Sequence, residues 1–155
     1  MPTTPDIDID RRSLFVPAVA PLYEKLAPLA YTLIRVALGL ILVPHGYAKL
    51  FGNDAVAASR NFVNFGWAYP LAWAYGIGAL EFFGGLMLAA GLFTRAVAAA
   101  FVVEMSVISF AVLYPNWSWG KRGMEYALFM GIIALAIFLR GGGRYSLDRL
   151  IGREF

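Results

Sequence analysis

The 155-residue chain contains no cysteine and a single histidine, and only 15% of its residues are charged. The absence of cysteine excludes disulfides, iron–sulfur ligation, thiolate metal sites and thiol redox chemistry by the chain's own residues. One histidine cannot supply both axial ligands of a bis-histidine haem, and we expect no metal site. Soluble domains average about 25% charged residues. The shortage of charge, together with 60% hydrophobic residues, predicts an integral membrane protein.

Four apolar stretches are long enough to cross a bilayer, because a hydrocarbon core of ~30 Å needs about 20 apolar residues. We predict an all-α bundle of four transmembrane helices within residues 29–140. The spans cover residues 29–48, 70–93, 96–114 and 123–139.

The remaining segments are expected to be short and peripheral. Residues 1–28 comprise a tail and an interfacial helix around Ser13–Leu26, and residues 141–155 form a basic tail whose short helix is capped by Ser146. The loop between the first two spans is expected to hold a surface helix over Ala55–Phe65. The net charge of +3 is small and sits at the ends of the spans, so we expect lipid rather than nucleic acid as the surrounding partner.

The distribution of positive charge predicts the orientation of the bundle. Four spans place both termini on one side, and that side carries eight basic residues: Arg11, Arg12, Lys25, Arg95, Arg140, Arg144, Arg149 and Arg153. The other side carries four: Lys49, Arg60, Lys121 and Arg122. The positive-inside rule then places both termini in the cytoplasm. The four tryptophans fall on the opposite side, as expected for an aromatic belt at the outer interface.

Each apolar span contains an ionisable residue, and such residues usually face a bundle interior and mark working parts. Depth along the helices divides them into two groups. We predict a midplane cluster of Arg35 with Glu81 and Glu104, and an outer cluster of His45, Lys49 and Glu125. Glu81 and Glu104 could relay protons or bind a cation, and the structural alternative is an ion pair with Arg35 that only fixes helix packing. The candidate catalytic residues are His45, Glu125, Glu81, Glu104 and Arg35. Because like charges at one site favour protonation of one of them, we expect Glu81 or Glu104 to hold a proton.

Small residues accompany these charges at helical spacing. The stripes are Arg35, Gly39, Leu42, Gly46 and Lys49 on the first span, Ala74, Gly78, Glu81, Gly85 and Leu88 on the second, and Ala100, Glu104, Ile108 and Ala111 on the third. Small residues allow close approach of membrane helices. The stripes are therefore predicted to be the interior faces.

Several motifs in fixed order resemble those of the DoxX family of small membrane proteins. They are Arg35-x3-Gly39, the run from Pro44 to Gly52, Glu81-Phe82-Phe83-Gly84-Gly85, Gly91-Leu92-Phe93-Thr94-Arg95, Glu125-Tyr126-Ala127-Leu128 and the run from Gly142 to Asp148. The resemblance implies a four-helix bundle in a bacterial inner membrane. It also implies a relation to quinone-linked, sulfur or oxidative-stress redox systems. The residues of this chain that match positions of the family motifs are Arg35, His45, Gly46, Lys49, Glu81 and Glu125.

The functional expectation is a membrane subunit of a quinone-linked redox system, with no cofactor of its own beyond a diffusible quinone. His45, Tyr47 and Tyr126 are the predicted contacts of the quinone head group, since His45 can donate to a carbonyl. Any further redox centre would belong to an oxidoreductase or other membrane partner subunit. The sequence is also compatible with a homodimer. The alternatives are a non-catalytic membrane anchor or assembly partner and a small proton-coupled carrier. The sequence does not decide whether the chain is itself an enzyme.

Overall fold

The computed structural model describes residues 10–153, without the side chains of Arg11 and Trp119, and its regular elements are all helices. They are α1 (Ala20–Phe51), α2 (Asp54–Asn64), α3 (Pro70–Ala90), α4 (Thr94–Leu113), α5 (Glu125–Arg140) and α6 (Leu147–Ile151). Short 3₁₀ turns lie at Arg11–Ser13, Pro17–Val19 and Trp119–Lys121. The all-helical prediction is confirmed for the described part of the chain.

Three helical stretches are long and apolar enough to cross a membrane, namely Pro17–Phe51, Pro70–Ala90 and Thr94–Leu113. Helix α5 is also apolar beyond Glu125, but it has only 16 residues. Large apolar side chains such as Leu33, Ile132 and Leu139 are exposed on the outside of the bundle. Such an apolar outer surface is suited to contact with lipid. The chain is therefore in contact with the bilayer, and four membrane crossings stay a prediction.

Helix α1 has 32 residues, which is about 48 Å at 1.5 Å per residue. The interfacial helix expected around Ser13–Leu26 is not separate from the first span, because residues from Ala20 onward continue into α1. Proline in the first helical turn does not interrupt a helix, so Pro21 is accommodated there. Pro28 lies inside α1, and Thr32 donates from its Oγ1 to the Pro28 carbonyl at 3.2 Å. This is the usual bond of a helical threonine to the carbonyl four residues earlier.

The bundle consists of two closely packed helix pairs, α1 with α3 and α4 with α5. The core lies where the pairs meet and includes Leu42, Leu88, Phe101, Met105 and Ile137. The predicted interior stripes of the first two spans are confirmed, since every member is buried except the half-buried Lys49.

The stripe predicted for the third span is only partly correct. Ala111 is exposed, and the face of α4 that packs into the core is centred on Phe101. The helix is π-helical over Ile108–Leu113. A π turn changes the angular spacing of side chains, so a stripe extrapolated at 100° per residue does not continue through it.

Candidate functional site

Lys49 and Glu81 form an ion pair inside the bundle. The Lys49 Nζ lies 2.8 Å from Glu81 Oε1 and 2.5 Å from Oε2, so both carboxylate oxygens accept from one ammonium group. The side chains of Lys49 and Glu81 are 16% and 5% exposed. A buried pair with this geometry holds two charges that neither lipid nor an apolar core would accept singly.

Glycines on the facing helices bring this pair together. A Cβ on Gly78 would lie 2.8 Å from the Cβ of Lys49, and a Cβ on Gly46 would lie 2.6 Å from the Gly78 carbonyl oxygen. Helices α1 and α3 therefore touch at backbone distance directly beside Lys49. Glu81 lies in a π-helical segment of α3, Leu80–Gly84. Such segments are frequent at functional sites, because the wider turn re-aims side chains.

Glu104 on α4 is the third charged residue of the site. It is 5% exposed, and neither of its carboxylate oxygens has a hydrogen-bond donor among the described residues. It interacts electrostatically with Glu81 and with Lys49. We call Lys49, Glu81 and Glu104 the charged cluster. It contains two carboxyl groups and one ammonium group.

The charged cluster opens into an apolar groove of about 440 Å³ between α3 and α4. Helix α2 and the segment after it cover the groove on one side, through Phe62, Phe65 and Trp67. Trp73 packs edge-on against Trp67, with ring centroids 4.9 Å apart. Apart from the charged cluster, the lining is Ala58, Asn61, Phe62, Phe65, Trp67, Trp73, Ile77, Leu80, Ala100, Val103, Val107, Ile108 and Val112. A mainly apolar cavity with some aromatic side chains and a few polar groups in one region is the usual form of a small-molecule site.

A family model described as DoxX matches residues 30–113 of this chain. The chain belongs to the DoxX family. The inner membrane protein YqjF of Escherichia coli (strain K12) is 24% identical over 137 residues, which cover 85% of this chain and 99% of YqjF. CatD of Bacillus subtilis (strain 168), whose assignment as an oxidoreductase is provisional in its name, is 30% identical over 119 residues. That match covers 77% of this chain and 84% of CatD. No solved structure matches the chain.

The DoxX motif residue Arg35 does not pair with Glu81 or Glu104, so the predicted midplane cluster is wrong in this respect. Arg35 is 1% exposed and donates to backbone carbonyls, at 2.6 Å to Tyr145 and 3.3 Å to Ala89, and also to Gly142. At its depth in α1, Arg35 is long enough to reach either acid. Instead, the chain after α5 folds back and presents carbonyl oxygens to the guanidinium group.

Two further DoxX motifs meet at that end of the bundle. Asp148 is buried and accepts from the backbone N–H groups of Phe93 at 2.7 Å and Thr94 at 2.8 Å, so it caps the start of α4. Gly91 has φ +73°, and a Cβ there would lie 2.8 Å from the Arg35 guanidinium carbon. The predicted cap at Ser146 is confirmed, since its Oγ accepts from Arg149 N at 3.2 Å. The sequence analysis assigned no role to Asp148, although an acid at the end of the motif Gly142–Asp148 was a usable signal.

The predicted outer cluster is not assembled as expected, because Lys49 is bound to Glu81. His45 is exposed on α1, and Tyr47 is exposed and packs on Phe51, with ring centroids 5.1 Å apart. Tyr126 is exposed on α5, beside the half-buried Glu125. None of these four predicted residues lines the groove. The structure thus brings together Lys49, Glu81 and Glu104.

Proposed function

We propose that this DoxX protein is the membrane subunit of a quinone-linked redox system and that its groove binds the quinone ring. The observation that supports this proposal most strongly is the apolar groove between α3 and α4, which ends at a buried ammonium group and two carboxyl groups. A ring with a hydrocarbon tail fits this division, since its apolar part contacts aromatic and aliphatic side chains and its oxygens meet the charges.

Lys49 is the group that can recognise a quinone oxygen. An ammonium group has three N–H donors, and the two contacts with Glu81 account for two of them. The third is available to a carbonyl or hydroxyl oxygen of the ring. Phe62, Trp67 and Trp73 provide flat surfaces for stacking, and a volume of about 440 Å³ falls in the usual range for small-molecule sites.

The relatives support the location and the reaction class of this proposal. YqjF is named as an inner membrane protein, and the name of CatD proposes an oxidoreductase. We propose that this chain lies in a bacterial inner membrane, crosses it four times and has both termini in the cytoplasm. A partner oxidoreductase would then exchange electrons with the quinone, since the chain contains no cysteine for thiol redox chemistry.

Tryptophan fluorescence tests the proposal directly, because quinones quench indole emission at short range. Titrating the purified protein in detergent with a short-chain quinone should quench emission saturably. The quenching should fall in Trp67→Phe and Trp73→Phe and persist in Trp117→Phe, since Trp117 is exposed outside the groove. Equal quenching in all three variants would indicate partition into the detergent micelle and would count against a groove site.

A groove-filling variant provides a second test. Ala100→Phe places a ring in the groove, whereas Ala96→Phe adds the same ring on an exposed position of the same helix. We expect Ala100→Phe to weaken binding at least about tenfold, because the ring and the ligand compete for the same volume. Ala96→Phe should bind as the wild type does. Unchanged binding in Ala100→Phe would exclude the groove.

The sequence-based prediction places the head group elsewhere, at His45, Tyr47 and Tyr126 on the exposed surface of α1 and α5. The same titration separates the two positions. If His45→Ala abolishes quenching while Ala100→Phe does not, the head group lies at this surface rather than at the charged cluster.

A further inference from the structure

The positive charge of Lys49 is already matched within the charged cluster. Both oxygens of Glu81 accept from the Lys49 ammonium group, at 2.8 Å and 2.5 Å. Among the described residues, no other cationic side chain lines the groove. Glu104 is 5% exposed, so its carboxyl group is buried without a cation of its own.

This arrangement indicates which of the two carboxyl groups carries a proton. A second negative charge beside the Glu81 carboxylate would be both buried and repelled. Because Lys49 stabilises the ionised form of Glu81, the proton belongs to Glu104. A protonated carboxyl group has an O–H donor, and that of Glu104 can be directed toward Glu81 or into the groove that Glu104 lines.

Lys49 and Glu104 therefore present two hydrogen-bond donors to one region of the groove. The first is the third N–H of Lys49, and the second is the O–H of Glu104. A carbonyl oxygen has two lone pairs, so the oxygen of a quinone can accept from both donors at once. An ionised Glu104 would instead place an oxygen without a hydrogen against the carbonyl oxygen, and two buried acceptors do not satisfy each other.

We propose that Glu104 binds the quinone carbonyl as a neutral acid, so that quinone binding by this protein requires a proton on Glu104. This inference rests on the proposed function of the groove. Lys49 donates the second hydrogen bond to the same oxygen, and Glu81 holds the Lys49 ammonium group in place. The protonated form of Glu104 binds and the ionised form does not, so the affinity is present at low pH and is lost as the pH rises.

The surroundings of Glu104 allow this pH dependence to be assigned to it. The charged groups that act on Glu104 are Glu81 from α3 and Lys49 from α1. The groove residues of α2 are Ala58, Asn61 and Phe62, which do not titrate, and the described residues of α5 contribute none to the lining. His45 lies outside the groove, and any contribution from it would persist when Glu104 is replaced.

The pH dependence of duroquinone binding tests the proposal. Duroquinone is methylated at every ring position, so hydroxide finds no open ring carbon, and it has no titratable group of its own. Its dissociation constant is measured by tryptophan quenching in an uncharged detergent, from mildly acidic to alkaline pH. We expect the wild-type affinity to be constant at low pH and to fall by about tenfold per pH unit once Glu104 ionises, the slope that one proton gives.

Two glutamine variants assign the proton. In Glu104→Gln the amide donates at every pH, so binding should persist and its pH dependence should disappear. Glu125→Gln removes a half-buried acid outside the groove and should keep the wild-type profile. Calorimetry in two buffers of different ionisation enthalpy gives a measurement that needs no variant. Where the wild-type affinity is falling, duroquinone binding should take up close to one proton.

The outcomes separate this inference from the proposed function. If duroquinone binds at no pH, the proposed function fails and this inference fails with it. If the wild-type protein binds it equally at every pH and takes up no proton, the groove is a quinone site that does not use Glu104 as a donor, and only this inference is overturned. A pH dependence that survives unchanged in Glu104→Gln would also overturn it, as would loss of binding at every pH in that variant when it is folded.

Discussion

Gly39 and Gly85 meet backbone to backbone where α1 crosses α3. A Cβ on Gly85 would lie 2.7 Å from the carbonyl oxygen of Gly39, and a Cβ on Gly39 would overlap the carbonyl oxygen of Gly85. The contact is reciprocal, so neither residue can accept a side chain without separating the helices. Close contacts between small residues are a main source of helix association in membranes, and this crossing sets the distance at which Lys49 can reach Glu81.

A Gly39→Ala substitution should therefore destabilise the protein by about 1–3 kcal/mol, the usual cost of overpacking. Gly76→Ala is the matched control, since Gly76 lies in α3 and has no atom within 4 Å of an added Cβ. Its gain in helix propensity should leave stability equal or slightly higher. Thermal unfolding in mild detergent measures both. Equal transition temperatures for the two variants would show that the crossing is wider than the structure indicates.

The packing of these two helices could be predicted from the sequence because one regular helical stripe carries the information. Small residues at spacings of three, four and seven lie on one side of a helix, and that side can pack closely against a neighbouring helix. The outcome was different where a side chain's partner comes from a remote segment. Arg35 binds carbonyls of the chain after α5, and Asp148 caps α4. Neither contact has a periodic signal in the sequence.

The groove could not be predicted for a related reason. Its floor consists of residues from three helices, and its cover is provided by α2, which the sequence placed at the membrane surface. The side chains Phe62 and Trp73 are 6.4 Å apart between ring centroids, although one lies in α2 and the other in α3. Amphipathic periodicity identifies such a helix, but it does not indicate which spans the helix covers.

The ion pair between Lys49 and Glu81 should behave as a unit in a double-mutant cycle. Lys49→Met and Glu81→Gln each leave one buried partner unpaired and should each destabilise the protein by about 3 kcal/mol. The double variant should lose clearly less than the sum of the two, because no unpaired charge of this pair remains.

Lys121→Met is the control for removing a cation, since Lys121 is exposed and exposed substitutions usually change stability by less than about 0.5 kcal/mol. Thermal unfolding of the wild type, the two single variants and the double variant gives the coupling free energy. Additive losses in the double variant would mean that Lys49 and Glu81 do not depend on each other, contrary to the 2.5 Å contact.

Asp148 should hold the terminal segment against the bundle. Asp148→Ala removes the acceptor for the N–H groups of Phe93 and Thr94. Loss of a capping side chain typically costs about 0.5–2 kcal/mol. Asp54→Ala is the comparison, since Asp54 is an exposed acid in the first turn of α2.

Limited trypsin digestion reports on this segment, because Arg144 and Arg149 lie in it and are exposed. We expect the fragment ending at Arg144 to appear faster in Asp148→Ala than in Asp54→Ala or the wild type. Identical digestion rates in all three proteins would show that the segment is held without the Asp148 cap.

The four-span topology with cytoplasmic termini can be tested by labelling single cysteines, and the natural chain is already a cysteine-free background. Lys121 and Arg144 are both exposed and lie on opposite sides of α5 along the chain. If α5 crosses the membrane in the direction that the positive-inside rule predicts, a membrane-impermeant maleimide added to intact spheroplasts should label Lys121→Cys. It should label Arg144→Cys only after permeabilisation. Labelling of both sites before permeabilisation would mean that α5 does not cross, and three crossings would then describe the protein. The reverse pattern would keep four crossings and invert the orientation, placing the charged cluster nearer the cytoplasm.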